Sequence, residues 1–143
     1  MFRSYDDVML EPQYSEVKSR KEISIAPRFV IGPPNHRTIL AMNTPIISSP
    51  MDTVTGLKMS IAMYLEGGLG IIHRYNTIQQ QVAIVSQIQT ICNGNIDVIA
   101  AAVGVTGDYL QRARSLRSVG VNIIVVDVAH GHHILVKEAI EKI

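Results

Sequence analysis

The sequence predicts an α/β fold built on a parallel sheet, and three observations predict it. From residue 46 onward, short apolar runs alternate with helical patterns. The links between them are short and marked by glycine. The last run, Val121 to Val126, is apolar on both parities, as in a strand covered on both faces. Such alternation implies parallel strands joined by right-handed crossovers.

Strands are expected at about 46–49, 69–73, 98–103 and 121–127, each followed by a helix. In the first helix Leu57, Ile61, Tyr64 and Leu65 share one face, and Gly67-Gly68 ends it. The second opens on Thr77-Ile78-Gln79-Gln80, a capping-box pattern, with Ile78, Val82 and Val85 as its stripe. The third has Asp108 near its positive end, a stripe of Tyr109, Ala113 and Leu116, and Gly120 after it. The fourth places Val136, Ala139, Ile140 and Ile143 on one face.

Residues 1–45 differ. Pro12, Pro27, Pro33, Pro34 and Pro45, with Gly32 and Asn35, predict turns. A short strand is expected near Val8-Met9-Leu10, then a hairpin-like excursion belonging to the same single domain, 1–143. Two architectures fit the βα units of 46–143. A doubly wound sheet is complete at 143 residues, whereas a (β/α)₈ barrel needs roughly 250, so this chain would be about half of one. Periodicity does not separate them.

Composition narrows the function classes. With 47% hydrophobic and 17% charged residues, the chain can bury a core. A net charge of +1 gives no reason to expect a nucleic acid or an anionic membrane as partner. No run reaches the ~18 apolar residues of a membrane span, and no signal peptide opens the chain; with one cysteine, a reducing, cytoplasmic setting is expected. The single cysteine, Cys92, allows no internal disulfide and reads as a buried structural thiol.

In parallel α/β folds, ligands bind at the carboxyl ends of strands. Those ends read Ser48-Ser49-Pro50-Met51-Asp52-Thr53, His73-Arg74-Tyr75-Asn76, Gly104-Val105-Thr106-Gly107 and Asp127-Val128-Ala129-His130-Gly131-His132-His133. The opposite loops hold small turn residues, so polar groups are biased to one face. Plainer roles stand beside each. Ser49 could be a turn hydroxyl, and Asp127 an N-cap of the fourth helix. His73-Arg74 could face a phosphate or simply be solvated. Gly104 to Gly107 is too weak a pattern to be a phosphate loop by itself. Adjacent and alternating histidines do not converge on one ion, so no metal is expected; His132 or His133 could cap a helix.

Ser49-Pro50-Met51-Asp52-Thr53-Val54-Thr55, with Glu66 to His73, resembles the first βαβ stretch of IMP dehydrogenases. Tyr5 to Pro12 resembles that family's N-terminus, and Ala101-Ala102-Val103-Gly104 and Asp127 to His132 resemble its third and fourth strand ends. The resemblance to the IMP dehydrogenase / GMP reductase family runs in order along nearly the whole chain and selects the barrel, of which about the first four βα units are present. It implies purine-nucleotide redox chemistry: oxidation of IMP to XMP with NAD through a cysteine thioimidate, or reductive deamination of GMP with NADPH through a similar adduct. Ser49 and Met51 fall where the family contacts its purine mononucleotide. Asp127 falls where it bonds the nicotinamide ribose, with Val128, Ala129 and Gly104 on the cofactor side.

The resemblance further implies NAD or NADP as cofactor, NAD favoured. It implies a monovalent cation at a site outside this chain, and a homo-oligomer, tetrameric for an intact member. The regulatory CBS pair usual in IMP dehydrogenases is absent between the second and third strands. Asp127-Val128-Ala129 resembles reductases, while Ser49-Pro50 resembles dehydrogenases. The family's catalytic cysteine follows strand six, so no catalytic residue is assigned here and the chain alone is expected to be inactive. The alternatives to a dehydrogenase part are a reductase part, or a non-catalytic half-barrel that binds or assembles.

Overall fold

The computed structural model describes residues 4–31, 38–96 and 98–143. Its first part is irregular. Single-turn 3-10 helices form at Tyr5–Asp7 and Arg20–Glu22. Ser4 anchors the first: its amide donates to Asp7 Oδ2 at 2.9 Å, and its hydroxyl accepts from the Asp6 amide at 3.2 Å. The strand expected at Val8-Met9-Leu10 does not form. Among the described residues no neighbouring strand offers it a ladder, and Met9 and Leu10 stand fully in solvent.

The hairpin-like excursion is an antiparallel pair, β1 (Arg28–Ile31) and β2 (Thr38–Ala41). Gly32, Pro33, Pro34 and Asn35, where its turn was expected, lie outside the described residues. The chain leaving β2 is pinned beneath the main sheet: the amides of Asn43 and Thr44 both donate to the Gly67 carbonyl, at 2.9 and 3.0 Å.

Then come β3 (Ile47–Ser48), α1 (Leu57–Leu65), β4 (Leu69–Ile72), α2 (Ile78–Ile91), β5 (Ala100–Val103), α3 (Tyr109–Ser118), β6 (Ile123–Val126) and α4 (Ile134–Lys142). The four strands are parallel in the order β3-β4-β5-β6, with Ile47 opposite Leu69, Ile71 opposite Ala100, and Val103 opposite Val126. α1 packs on α2 and α2 on α3, so these helices share one face of the sheet. A doubly wound sheet reverses its strand order and puts helices on both faces. Sequential order with one-sided helices is the wall of a partial (β/α)₈ barrel.

Each strand is shorter than the span expected from sequence. At β5 and β6 the reason is visible. The Ile99 amide donates to the Asn122 side chain at 2.9 Å, and the Asn122 amide returns a bond to the Ile99 carbonyl at 2.9 Å. A side chain stands in for a ladder rung, so the strands begin one residue later.

Two clusters hold the sheet. On its outer face Ile72, Ile99, Ala101, Val103 and Val121 meet Val85, Ile88, Ala113 and Leu116. Full burial of such a Val, Leu or Ile contributes roughly 1.5–3 kcal/mol. On the inner face Met42 closes the lower end against Leu69 and Ala100, with Ile71, Val98 and Ile123 packed around them. α1 lies close to β4 because residue 70 is glycine: a Cβ there would sit 2.7 Å from Ser60 Cα.

The caps follow the sequence in part. Thr77 and Gln80 form the expected reciprocal box, at 3.2 and 2.9 Å. His133, not Asp127, caps α4, its Nδ1 accepting from the Leu135 amide at 3.2 Å. Two expected stripes are narrower than drawn. Leu65 is exposed at the end of α1. On α4, Val136 and Ala139 are buried while Ile140 and Ile143 are exposed. The main packing partner of that helix among the described residues is β6, and these two positions stay open to solvent.

Candidate functional site

At the end of β3 the chain turns through 49–55, and Thr55 fixes the turn. Its buried hydroxyl lies within hydrogen-bonding distance of the Ser49 carbonyl and of Ser48 Oγ. Its carbonyl accepts the His73 amide at 3.2 Å, which ties the turn to the end of β4. Ser49 and Met51 are exposed on this turn.

At the end of β4, Arg74 reaches sideways. Its Nε donates to Asp127 Oδ2 at 3.1 Å, and both side chains are mostly buried. The register explains the reach. Ile72 pairs with Ala101, and Val103 with Val126, so Gly104 ends the strand lying between the two partners. With no side chain at 104, the guanidinium lies across the strand end: a Cβ there would be 3.4 Å from Arg74 Nη1. The guanidinium carbon also sits 5.1 Å from the centre of the Tyr75 ring.

Beneath this pair runs a buried polar network. Gln81 Nε2 donates to the His73 carbonyl at 3.1 Å and the Ala102 carbonyl at 2.9 Å. Gln81 Oε1 accepts from Arg112 Nη1 at 2.9 Å. Arg112 also donates to the Asn76 side chain at 3.2 Å, to its carbonyl at 2.8 Å, and to both carboxylate oxygens of Asp108, at 3.3 and 2.9 Å. A buried guanidinium is tolerated only when charge and donors are matched in this way. Asp108 is thus spent on Arg112, and its side chain makes no capping bond to the first turn of α3.

A polar cleft of about 230 Å³ opens over these groups, lined by Arg74, Gly104, Val105, Thr106, Asp108, Arg112 and Val128. Larger hollows lie elsewhere. One of about 490 Å³ sits at the opposite end, by Met42, Gly67 and Leu69. One of about 570 Å³ lies outside α1 and is mainly apolar. Neither holds a comparable set of charged groups.

Of the residues singled out from sequence, Gly104 and Val128 line the cleft and Asp127 is held at its edge. Ala129 is exposed beyond it. Ser49 and Met51 are not brought to this cleft. They lie after β3, one strand step from Arg74 and three from Asp127, the latter roughly 14 Å along the sheet at ~4.8 Å per step. Cys92 caps the far end of α2 and packs against the outer core. His130, His132 and His133 are exposed, and no group of three metal-ligating side chains converges among the described residues.

The model of the "IMP dehydrogenase / GMP reductase domain" family matches residues 3–143. The chain belongs to this family. Among relatives of the IMP dehydrogenase / GMP reductase family, the inosine-5'-monophosphate dehydrogenase of Rhodopirellula baltica is 38% identical over 93 residues, covering 65% of this chain and 16% of that protein. The GMP reductase of Leishmania donovani is 41% identical over 86 residues, 60% of this chain and 16% of that protein. The inosine-5'-monophosphate dehydrogenase of Cryptosporidium parvum aligns with 98% of this chain at 29% identity, covering 42% of its own length. The chain therefore spans less than half the length of these relatives.

Sequence reasoning about the family's site residues missed Arg112, Gln81 and Thr55. The signal at Arg112 was faint: an arginine among the apolar stripe residues Tyr109, Ala113 and Leu116, four residues after an acid. Arg74 was seen, but not its partner two strands away.

Proposed function

We propose that this chain is the N-terminal part of a purine-nucleotide oxidoreductase barrel whose reaction is the oxidation of IMP to XMP with NAD. One observation carries the reading: every candidate ligand group lies at the C-terminal ends of the parallel strands, with Asp127 held at one oxygen. Arg74 engages Oδ2, and Oδ1 has no partner among the described residues. A carboxylate so fixed can accept from a ribose hydroxyl. Bound NAD would supply the hydride acceptor. Gly104, Val128 and Ala129 form the cofactor side. At the other edge the Ser49 hydroxyl bonds phosphate or ribose, and the exposed thioether of Met51 packs on the base. The nucleophilic thiol belongs to a part of the barrel outside this chain, and the working protein is a cytoplasmic homo-oligomer.

A second reading, reduction of GMP to IMP with NADPH, is favoured by the relative named GMP reductase, as similar over its span as the dehydrogenases, and by the sequence Asp127-Val128-Ala129. Calorimetric titration of the chain with IMP, GMP, NAD and NADPH tests both. The expected result is weak binding of a purine mononucleotide lost in Ser49→Ala, and of a dinucleotide weakened roughly 10-fold or more in Asp127→Ala. NADPH binding without NAD binding would favour the reductase. Cofactor binding indifferent to Asp127 would overturn the assignment of that residue.

A further inference from the structure

Every polar atom of Thr55 is engaged, and each holds a different piece of chain. Its amide donates to the Met51 carbonyl at 2.9 Å. Its hydroxyl lies 2.8 Å from Ser48 Oγ and against the Ser49 carbonyl. A hydroxyl has one proton, so it donates to the carbonyl and accepts from Ser48. The Thr55 carbonyl accepts the His73 amide at 3.2 Å, at the end of β4. The side chain is fully buried, and its branched Cβ restricts it to few rotamers. Thr55 therefore grips Ser49 and Met51 by their carbonyls from inside the turn, while both of those residues stand exposed outside it. Pro50, between them, has a fixed φ and biases Ser49 to extended backbone. The direction of Ser49 then depends on the orientation of its peptide plane, which the Thr55 hydroxyl holds. The Met51 amide reaches the same carbonyl at 2.8 Å, but it belongs to the turn and moves with it.

We propose that Thr55 is a positioning residue for the purine mononucleotide. Its hydroxyl sets the turn that presents Ser49 and Met51, and its carbonyl registers that turn against the end of β4. The inference rests on the reading of Ser49 and Met51 as nucleotide contacts, and it gives Thr55 no contact of its own. A serine side chain is too short to correct an error in the backbone that carries it, and a hydrogen bond weakens steeply when misaligned. Without the Thr55 hydroxyl, Ser48 Oγ loses its acceptor and the Ser49 carbonyl loses one of its two donors. The turn then samples several orientations, and binding must select one of them. Asp127 lies three strand steps from β3 and is held by its own pair with Arg74, so the cofactor side does not depend on this hydroxyl.

The experiment titrates IMP, and NAD as a second probe, into the 143-residue chain and into Thr55→Val, Thr55→Ser and Ser49→Ala. Urea unfolding checks that each variant is folded. Thr55→Val keeps the shape of the side chain and removes the hydroxyl. It should weaken IMP binding roughly 3- to 10-fold, the loss expected for one hydrogen bond, and leave NAD binding unchanged. Thr55→Ser restores the hydroxyl and should bring IMP affinity back to within about twofold of the unaltered chain. IMP affinity unmoved in Thr55→Val but lost in Ser49→Ala overturns the positioning role and leaves the reading of Ser49 standing. IMP affinity unmoved in Ser49→Ala, or no IMP binding by any form, overturns that reading and the role with it. Equal loss of IMP and NAD binding in Thr55→Val makes Thr55 a support of the sheet alone and overturns the proposal. If Thr55→Val does not fold, Thr55→Ser carries the test: a folded chain with the hydroxyl present but IMP binding lost overturns it.

Discussion

Arg74 Nε and Asp127 Oδ2 lie 3.1 Å apart although their strands, β4 and β6, are not neighbours. The pair spans the end of β5, where Gly104 has no side chain to block it. An ion pair that skips a strand fixes the lateral spacing of three strand ends, which ladder bonds lower in the sheet do only indirectly.

That pair should add little to overall stability. About a quarter to a third of each side chain remains exposed, so solvent screens it. A double-mutant cycle on Arg74→Ala and Asp127→Ala should give a coupling of about 0.5–1 kcal/mol. Urea unfolding at low and high salt measures it, and the coupling should shrink as salt rises. A coupling of several kcal/mol would mean the pair is a principal support of the fold.

Arg112 should behave differently. Replacing it with methionine strands Gln81 Oε1 and the Asn76 carbonyl, which accept its protons at 2.9 and 2.8 Å. Loss on the order of 3 kcal/mol is expected from these orphaned acceptors. The midpoint of urea unfolding reports it. A loss below about 1 kcal/mol would show that water replaces the guanidinium.

Gly70→Ala tests the closeness of α1 to β4. The added methyl would lie 2.7 Å from the helix backbone at Ser60. Backbone cannot swing away as a side chain can, so α1 must shift at a cost of roughly 1–3 kcal/mol. Thermal unfolding followed by circular dichroism would show the loss, and an unchanged midpoint would refute so tight a contact.

The chain alone should not turn over IMP with NAD or GMP with NADPH. Its thiol, Cys92, caps the far end of α2. The strand-end groups lie a strand's length away, roughly 13 Å for four residues at ~3.3 Å each. A covalent step needs its nucleophile held within reach of the purine. Turnover lost in Cys92→Ser would mean that α2 is misplaced.

Self-association is expected in solution. Among the described residues, β3 and β6 each lack a strand neighbour on one side. Ile46 and Ile47 are exposed at the β3 edge, and Ile140 and Ile143 are exposed on α4, the helix that follows β6. Open edges of this kind recruit other chains. Sedimentation velocity should show dimers or larger species, and a clean monomer at micromolar concentration would count against it.

Period and punctuation in the sequence carry the strands, helices and capping box, because those signals are local. Thr77 and Gln80 lie within one turn of each other. The failures are non-local. Val8-Met9-Leu10 is apolar enough for a strand, but a strand also needs a partner, and none lies beside it. Ile140 fits the stripe of α4 by spacing, yet burial requires a second helix alongside. Arg112 with Gln81, and Arg74 with Asp127, are 31 and 53 residues apart. No periodicity spans such gaps. Asp108 was placed correctly at the start of α3, but its use was not visible, since the choice between helix amides and Arg112 depends on the guanidinium being buried within reach.

The position of β5 has a consequence for how the sheet opens. All four of its residues are fully buried, with a strand on either side, whereas each residue of β6 is only half-covered. In deuterium exchange the amides of 100–103 should therefore be the slowest, tracking global unfolding. Those of β3 and β6 should exchange early through edge fraying. The sheet should unzip from its two rims inward, with the alanine-rich middle strand the last to let go.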